Sequence, residues 1–169
     1  MTTEQDLPPR TVSWHPWQFL ATSRNINVVR AFLSNSADPA VKRTIHDVST
    51  NASHVLYPFL SLYGATKGAF SSWLRHVAQE HQDKGVRVHS FNPGTVLTDP
   101  ARDAGLDEGS LDWDDVSLPA GLAVWLASEQ GAFLQGSFVM NSWDVGELEG
   151  LKGAFERDEG LGRVVLKVQ

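Results

Sequence analysis

The 169 residues, 41% hydrophobic and 20% charged, suit one globular domain with a real core and are too few for two full domains. A formal charge of −6 without clustered Lys or Arg argues against nucleic-acid binding, and zero cysteines exclude disulfides and thiolate metal sites. No apolar run approaches the roughly eighteen residues of a membrane span, and the polar opening MTTEQDLPPR lacks a secretory apolar core, so a cytoplasmic, membrane-free protein is expected.

Residues 1–16 read as an irregular N-terminal segment and residues 17–169 as a single domain. His15-Pro16 suits a helix entry, and apolar residues recur at helical intervals from Trp17 to Leu33. Asn35 to Pro39 reads as a loop, Thr44 to Ser49 as a short strand carrying Ile45 and Val48, and Asn51 to Pro58 is too mixed to assign. The sequon Asn51-Ala52-Ser53 would stay unmodified in a chain that does not enter the secretory route. From Ser61 to Gln82 the pattern is that of a long amphipathic helix, with Phe70, Trp73, Leu74 and Val77 on one face and Gly85 placed to end it. Val86 to Phe91 alternates as a strand does, and Pro93-Gly94 turns the chain away. The acidic run from Asp99 to Asp115 puts no calcium-loop frame around Gly109, so it reads as a solvated loop. A helix over Pro119 to Ser128 entered at Ser117, a strand over Ser137 to Met140 and an apolar tail at Val164-Val165-Leu166 complete the chain.

Strand, long helix, strand, helix, strand is the rhythm of a parallel α/β sheet with crossover helices. The expected fold is therefore α/β, a partial Rossmann-like, doubly wound parallel sheet. Three strands amount to half of the arrangement that embraces a dinucleotide, so the N-terminal dinucleotide-binding half is expected to be absent.

Tyr63 and Lys67 stand four apart, on one face of the predicted long helix. A phenol titrates near pH ~10, and an ammonium one turn away favours its phenolate, so such a pair makes a general acid/base. An isolated Tyr-x-x-x-Lys arises readily by chance, and the plain alternative is two residues on a half-exposed helix face. Gly64-Ala65-Thr66-Lys67-Gly68 also mimics the nucleophile elbow of a hydrolase, with threonine in place of serine. The histidines lack zinc-site spacing, so no metal centre is expected.

The surroundings of Tyr63-Gly64-Ala65-Thr66-Lys67 resemble those in the short-chain dehydrogenase/reductase family. Thr50, thirteen residues before Tyr63 in Asp47-Val48-Ser49-Thr50, falls where that family carries its carbonyl-orienting hydroxyl. Val86 to Thr98, with its Pro93-Gly94-Thr95 turn, is similar to the family's next strand and nicotinamide-contacting turn, and Gly136 to Val145 is similar to the closing strand of many fungal members. The resemblance runs from about Trp17 to the C-terminus. It implies catalytic roles for Thr50, Tyr63 and Lys67, and cofactor contacts from Tyr63, Lys67, Pro93, Gly94, Val96 and Thr98, with NAD or NADP as cofactor. A small carbonyl or alcohol substrate is implied, as is self-association through the helices near 17–33 and 61–82.

Three departures stand beside the likeness. Threonine replaces the commoner serine at position 50, with Ser49 and Ser53 as nearby hydroxyls. The family's relay asparagine aligns with Ala21, while Asn25 and Asn27 lie one or two turns away. No glycine-rich strand-to-helix turn is present to seat a pyrophosphate. The expected function is thus a truncated NAD(P)-dependent oxidoreductase whose activity alone is in question. The alternatives are a non-catalytic binding or oligomerising module and a cofactor-independent isomerase or cyclase using Tyr63 and Lys67.

Overall fold

The computed structural model describes residues 17–35, 41–58, 60–103 and 105–165. The expected irregular segment 1–16, most of the 35–39 loop and Leu166 of the tail lie outside these residues. A long helix α1 (Trp17–Ser34) precedes strand β1 (Arg43–Val48), and helix α2 (Ser61–Glu80) leads to strand β2 (Val86–Asn92). A short helix α3 (Asp99–Asp103) and helix α4 (Ser117–Ala127) follow, then strand β3 (Phe138–Met140) and two short helices, α5 (Val145–Gly150) and α6 (Lys152–Arg157).

The three strands are parallel in the order β1-β2-β3, with Arg43 opposite Val86 at one end of the first pair and Asn92 opposite Met140 in the second. Side chains alternate across β2, and each face has its own core. Val86 and Val88 join Phe70, Leu74 and Val77 of α2 and Val29 of α1. Phe91 points the other way, into Leu122 and Leu126 of α4, Leu134, and Val139 of β3. Helices thus cover both faces, which is why β2 reads as an almost unbroken buried run. Among the described residues β1 pairs only with β2, so its outer edge carries no strand. No helix of these residues is long and apolar enough to cross a membrane.

The strands and three long helices fall within a few residues of the expected positions. The 61–82 helix stops at Glu80, because a 3-10 turn at Gln82–Lys84 and a left-handed Gly85 (φ 64°) steer the chain into β2. The acidic stretch is not one loop: its first five residues wind into α3, with Asp99 in the first turn, where a carboxylate complements the helix dipole. Helices α5 and α6 were not expected, since six residues are too few to show a period.

The sheet buries one titratable ring completely. His89 is 0% exposed and stacks on His46 across the β1–β2 register, with ring centroids 5.5 Å apart. Burial, reinforced by the neighbouring His46, pushes its pKa down to about 4, and the backbone near Gly131 compensates only weakly. The unfolded chain takes up this proton near pH ~6.5 while the folded chain refuses it until about 4. His89 therefore stabilises the fold fully above the unfolded value, and that contribution is lost as pH falls through this window. Urea unfolding at pH 7 and pH 4 should show an acid loss to which His89 contributes about 3 kcal/mol. His89→Leu should flatten the profile; an unchanged slope in that variant would rule out the buried neutral ring.

Candidate active site

Thr50 leaves β1 in extended conformation and caps a 3-10 turn at Asn51–Ser53. Its Oγ1 accepts the Ala52 N–H at 3.2 Å, and its carbonyl accepts the Ser53 hydroxyl at 2.5 Å. Accepting leaves the Thr50 hydroxyl proton unspent, so this side chain can still donate. The turn is tied to the end of β2 by the Asn51 N–H, which donates to Asn92 Oδ1 at 3.2 Å. The Asn51 side-chain amide also donates to the Tyr57 hydroxyl at 2.9 Å.

The first turn of α2 carries Tyr63, half-buried, and it rests directly on this 3-10 turn. A Cβ placed on Gly64 would lie 2.3 Å from the Ala52 carbonyl oxygen, so only glycine permits the approach. One turn on, Gly68 sits over Ser53 in the same way, with ordinary contact at 3.4 Å. Thr50 and Tyr63 therefore stand on two pieces of backbone in direct contact. Lys67 donates through Nζ to the Val48 carbonyl at 2.8 Å, which moors the ammonium at the end of β1 and leaves two of its donors for other acceptors.

The two spare serines are already engaged. Ser49 is buried with its hydroxyl 2.9 Å from that of Ser71, and Ser53 is spent on the Thr50 carbonyl. Of the three hydroxyls at the end of β1, Thr50 alone keeps its proton free of a bond within the turn. Below them lies a group that sequence reasoning missed. Ser71 of α2 donates to Asp47 Oδ2 at 2.6 Å, and Asp47 is 5% exposed. Burial raises the Asp47 carboxyl above its ordinary range, while the Ser71 and Ser90 hydroxyls and the Lys67 ammonium pull it back. An aspartate in the middle of a strand pattern was the available signal. Asn25 of α1 lines a cavity of about 360 Å³ along β1 together with Lys67; both Asn25 and Asn27 are exposed, and the side chain of Ala21 lies outside the described residues.

The turn after β2 is clamped from two sides. Gly94 has φ 81°, and a Cβ there would meet Asp114 Oδ2 at 2.2 Å and Asn141 Nδ2 at 2.3 Å. Asn141 donates to the Pro93 carbonyl at 2.9 Å, and the Thr95 N–H donates to Asp114 Oδ2 at 2.6 Å. The Asp114 N–H returns a bond to the Thr95 carbonyl at 2.7 Å. Asp114 is thus part of the clamp, not of a solvated loop as the acidic composition had suggested. Val96 is half-buried beyond the turn, and Thr98 is exposed, its carbonyl accepting the Arg102 N–H of α3 at 3.0 Å. Asp107 serves its own loop, accepting from Gly109 N and the Ser110 hydroxyl, and no group of three or more His, Asp or Glu could hold a metal among the described residues.

The hydrolase-like segment is interior to α2, where Thr66 donates its hydroxyl to the Tyr63 carbonyl at 3.0 Å. Its threonine is a helix residue bonded to its own backbone, not the exposed tip of a strand-to-helix elbow.

The family model for short chain dehydrogenase matches residues 25–109. A short chain dehydrogenase/reductase of Claviceps purpurea is 37% identical over 148 residues, covering 86% of this chain and 50% of the relative. The short chain dehydrogenase/reductase AacuD of Aspergillus aculeatus is 34% identical, covering 84% of this chain and 49% of its own. The chain thus spans about half the length of these curated relatives. In fold it is similar to the angucycline C-6 ketoreductase LanV with bound NADP, at 21% identity and a TM-score of 0.59, over 76% of this chain and 54% of that one. It is also similar to 4-hydroxyisoleucine dehydrogenase complexed with NADH, with 21% identity and a TM-score of 0.53, over 73% and 53%.

Because Gly64 sets how closely α2 meets the Thr50 turn, Gly64→Ala should cost about 2 kcal/mol of stability by urea unfolding. Gly121→Ala in α4, where an added Cβ meets nothing within 4 Å, should instead gain up to ~1 kcal/mol. Equal midpoints for Gly64→Ala and the parent would show that the two backbones are not pressed together.

Proposed function

The chain belongs to the short chain dehydrogenase family, and on that premise we propose that it carries the acid/base half of a nicotinamide-dependent oxidoreductase acting on a carbonyl or alcohol. Tyr63 gives a proton to, or takes one from, the substrate oxygen. Thr50 donates its unspent hydroxyl proton to the same oxygen and orients it. Lys67 stands one turn from Tyr63 and stabilises the phenolate form. The observation that supports this reading is the Gly64–Ala52 approach, which seats the Tyr63 turn on the Thr50 turn while Lys67 is moored at Val48.

The residues present fit one end of the cofactor. Lys67, with two free donors, would take the ribose hydroxyls, and Tyr63 lies beside it on α2. Pro93, Gly94, Val96 and Thr98 would hold the nicotinamide, since a turn with no Cβ at Gly94 and clamped by Asp114 and Asn141 is a rigid seat. A bound nicotinamide supplies the hydride. The pyrophosphate end finds no seat among the described residues: the α5 N-terminus is occupied by the Asp144 side chain, which accepts the Glu147 N–H at 3.0 Å, and α2 begins at Ser61, after Leu60, without a glycine-rich turn. A second reading, resting on the same placement of Tyr63 and Lys67 on α2, is a cofactor-independent acid/base catalyst. Association of copies through α1 and α2 belongs to the proposal as well, with Val28 of α1 exposed at its outer face.

Titration of the chain with NADH and with NADPH, followed by nicotinamide fluorescence, should show saturable binding of one of them. In the presence of that cofactor, Tyr63→Phe should lower carbonyl reduction by about 10²–10⁴-fold while cofactor binding stays saturable. Full activity in that variant would end the acid/base assignment. Turnover without any nicotinamide, lost in Tyr63→Phe, would establish the second reading.

A further inference from the structure

A cavity of about 420 Å³ opens beside the Thr50 turn, on the α2 side of the sheet. Asn51 and His54 of the turn region form one side, Phe138 and Met140 of β3 another, and Trp143 its far end. The Asn51 side lies next to Thr50 in the chain, and Asn51 is tied through Asn92 to the strand pair that ends in Met140. Phe138 and Met140 share one face of β3, while Val139 between them is buried in the opposite core.

The lining is mostly aromatic and carries one cation, since Arg163 borders it beside Gly162 and Val164. His54 sits edge-on to Phe138 with centroids 4.1 Å apart, and burial, with Arg75 second, lowers its pKa, so the ring is neutral at pH 7. A phenyl ring, a neutral imidazole, a thioether and an indole offer polarisable surface and few hydrogen bonds. Trp143 is 41% exposed. Hydrogen-bonding side chains enter from Asn51, which adjoins Thr50, and from Arg163, which is held by the Gln135 carbonyl at 2.8 Å and whose planar guanidinium can stack on an aromatic face. Cavities of ~300–1,000 Å³ suit drug-sized ligands, so a three-carbon ketone would leave most of this one to water.

Beyond Trp143 lies a second cavity of about 600 Å³, lined by Leu148, Leu151 and Phe155 with Asp144 and Glu147 at its rim, and Trp143 is the one side chain that borders both, Gly162 having none. The indole is therefore the partition that sets how long a ligand the first cavity accepts.

We propose that this cavity receives the body of the substrate, a ketone or alcohol carried on a flat aromatic framework of two or three fused rings, with Trp143 as the residue that limits its length. The orientation of the ligand, oxygen toward Thr50, rests on the acid/base reading above; the binding itself does not.

The test is binding of 2-acetylnaphthalene and of hydroxyacetone to the full chain, by saturation-transfer NMR with titration. The naphthyl ketone should saturate and hydroxyacetone should not. Trp143→Ala and Met140→Gln, both at positions reached by solvent, should each weaken naphthyl binding by about tenfold. In Trp143→Ala a four-ring ketone excluded from the parent should bind. Gly121→Ala, remote on α4 where an added Cβ meets nothing within 4 Å, should leave naphthyl affinity unaltered. Equal binding of the two ketones, or naphthyl affinity indifferent to both cavity variants, overturns the proposal. Failure of the acid/base reading registers elsewhere, as carbonyl reduction that survives Tyr63→Phe, so the two can fail separately.

Discussion

The site depends on a close approach of two backbones, the first turn of α2 against the 3-10 turn that follows β1. Gly64 makes it possible by having no side chain, and Thr50 makes it orderly by capping the turn that Gly64 meets. Nothing polar has to be aimed across this contact. Once the two turns are pressed together, the residue before Gly64 and the residue two before Ala52 stand on backbones in contact. A glycine between the tyrosine and the lysine thus contributes to the site without chemistry of its own.

A second layer keeps the assembly from slipping. Lys67 reaches back to the Val48 carbonyl, Ser71 reaches down to Asp47, and Ser49 bridges to Ser71, so α2 is stitched to the end of β1 at successive turns of one helix face. The two serine bonds are short and buried, where a broken partner is costly, while the lysine bond lies at the surface. The buried Asp47 carboxyl also places potential negative charge under the Lys67 ammonium, a coupling that links the core of the sheet to the surface chemistry.

Sequence reasoning reached the parts governed by period and spacing. The long α2 was legible because Phe70, Trp73, Leu74 and Val77 repeat with the helix, and β2 because both of its faces are buried by helices. The spacing of Thr50, Tyr63 and Lys67 was legible, although the approach of the Gly64 and Ala52 backbones was not, since it rests on what Gly64 lacks. Asp47 escaped notice because a strand pattern gives no hint of which inward residue meets a serine from a helix. Asp114 was misjudged for a different reason: a run rich in acids looks uniformly solvated, and nothing local distinguishes the one carboxylate that folds back onto Thr95. Helices α5 and α6 are too short to announce themselves by period, yet Asp144 and Glu147 carry the spacing of a capping box.

The reciprocal bonds between Thr95 and Asp114 fasten the base of the intervening segment as a drawstring closes a bag. Whatever lies between those knots can lengthen, shorten or change composition without loosening Gly94 behind them. Diversification of this segment is thereby uncoupled from upkeep of the strand end, and the scaffold can acquire new ligand preferences while its rigid parts stay still.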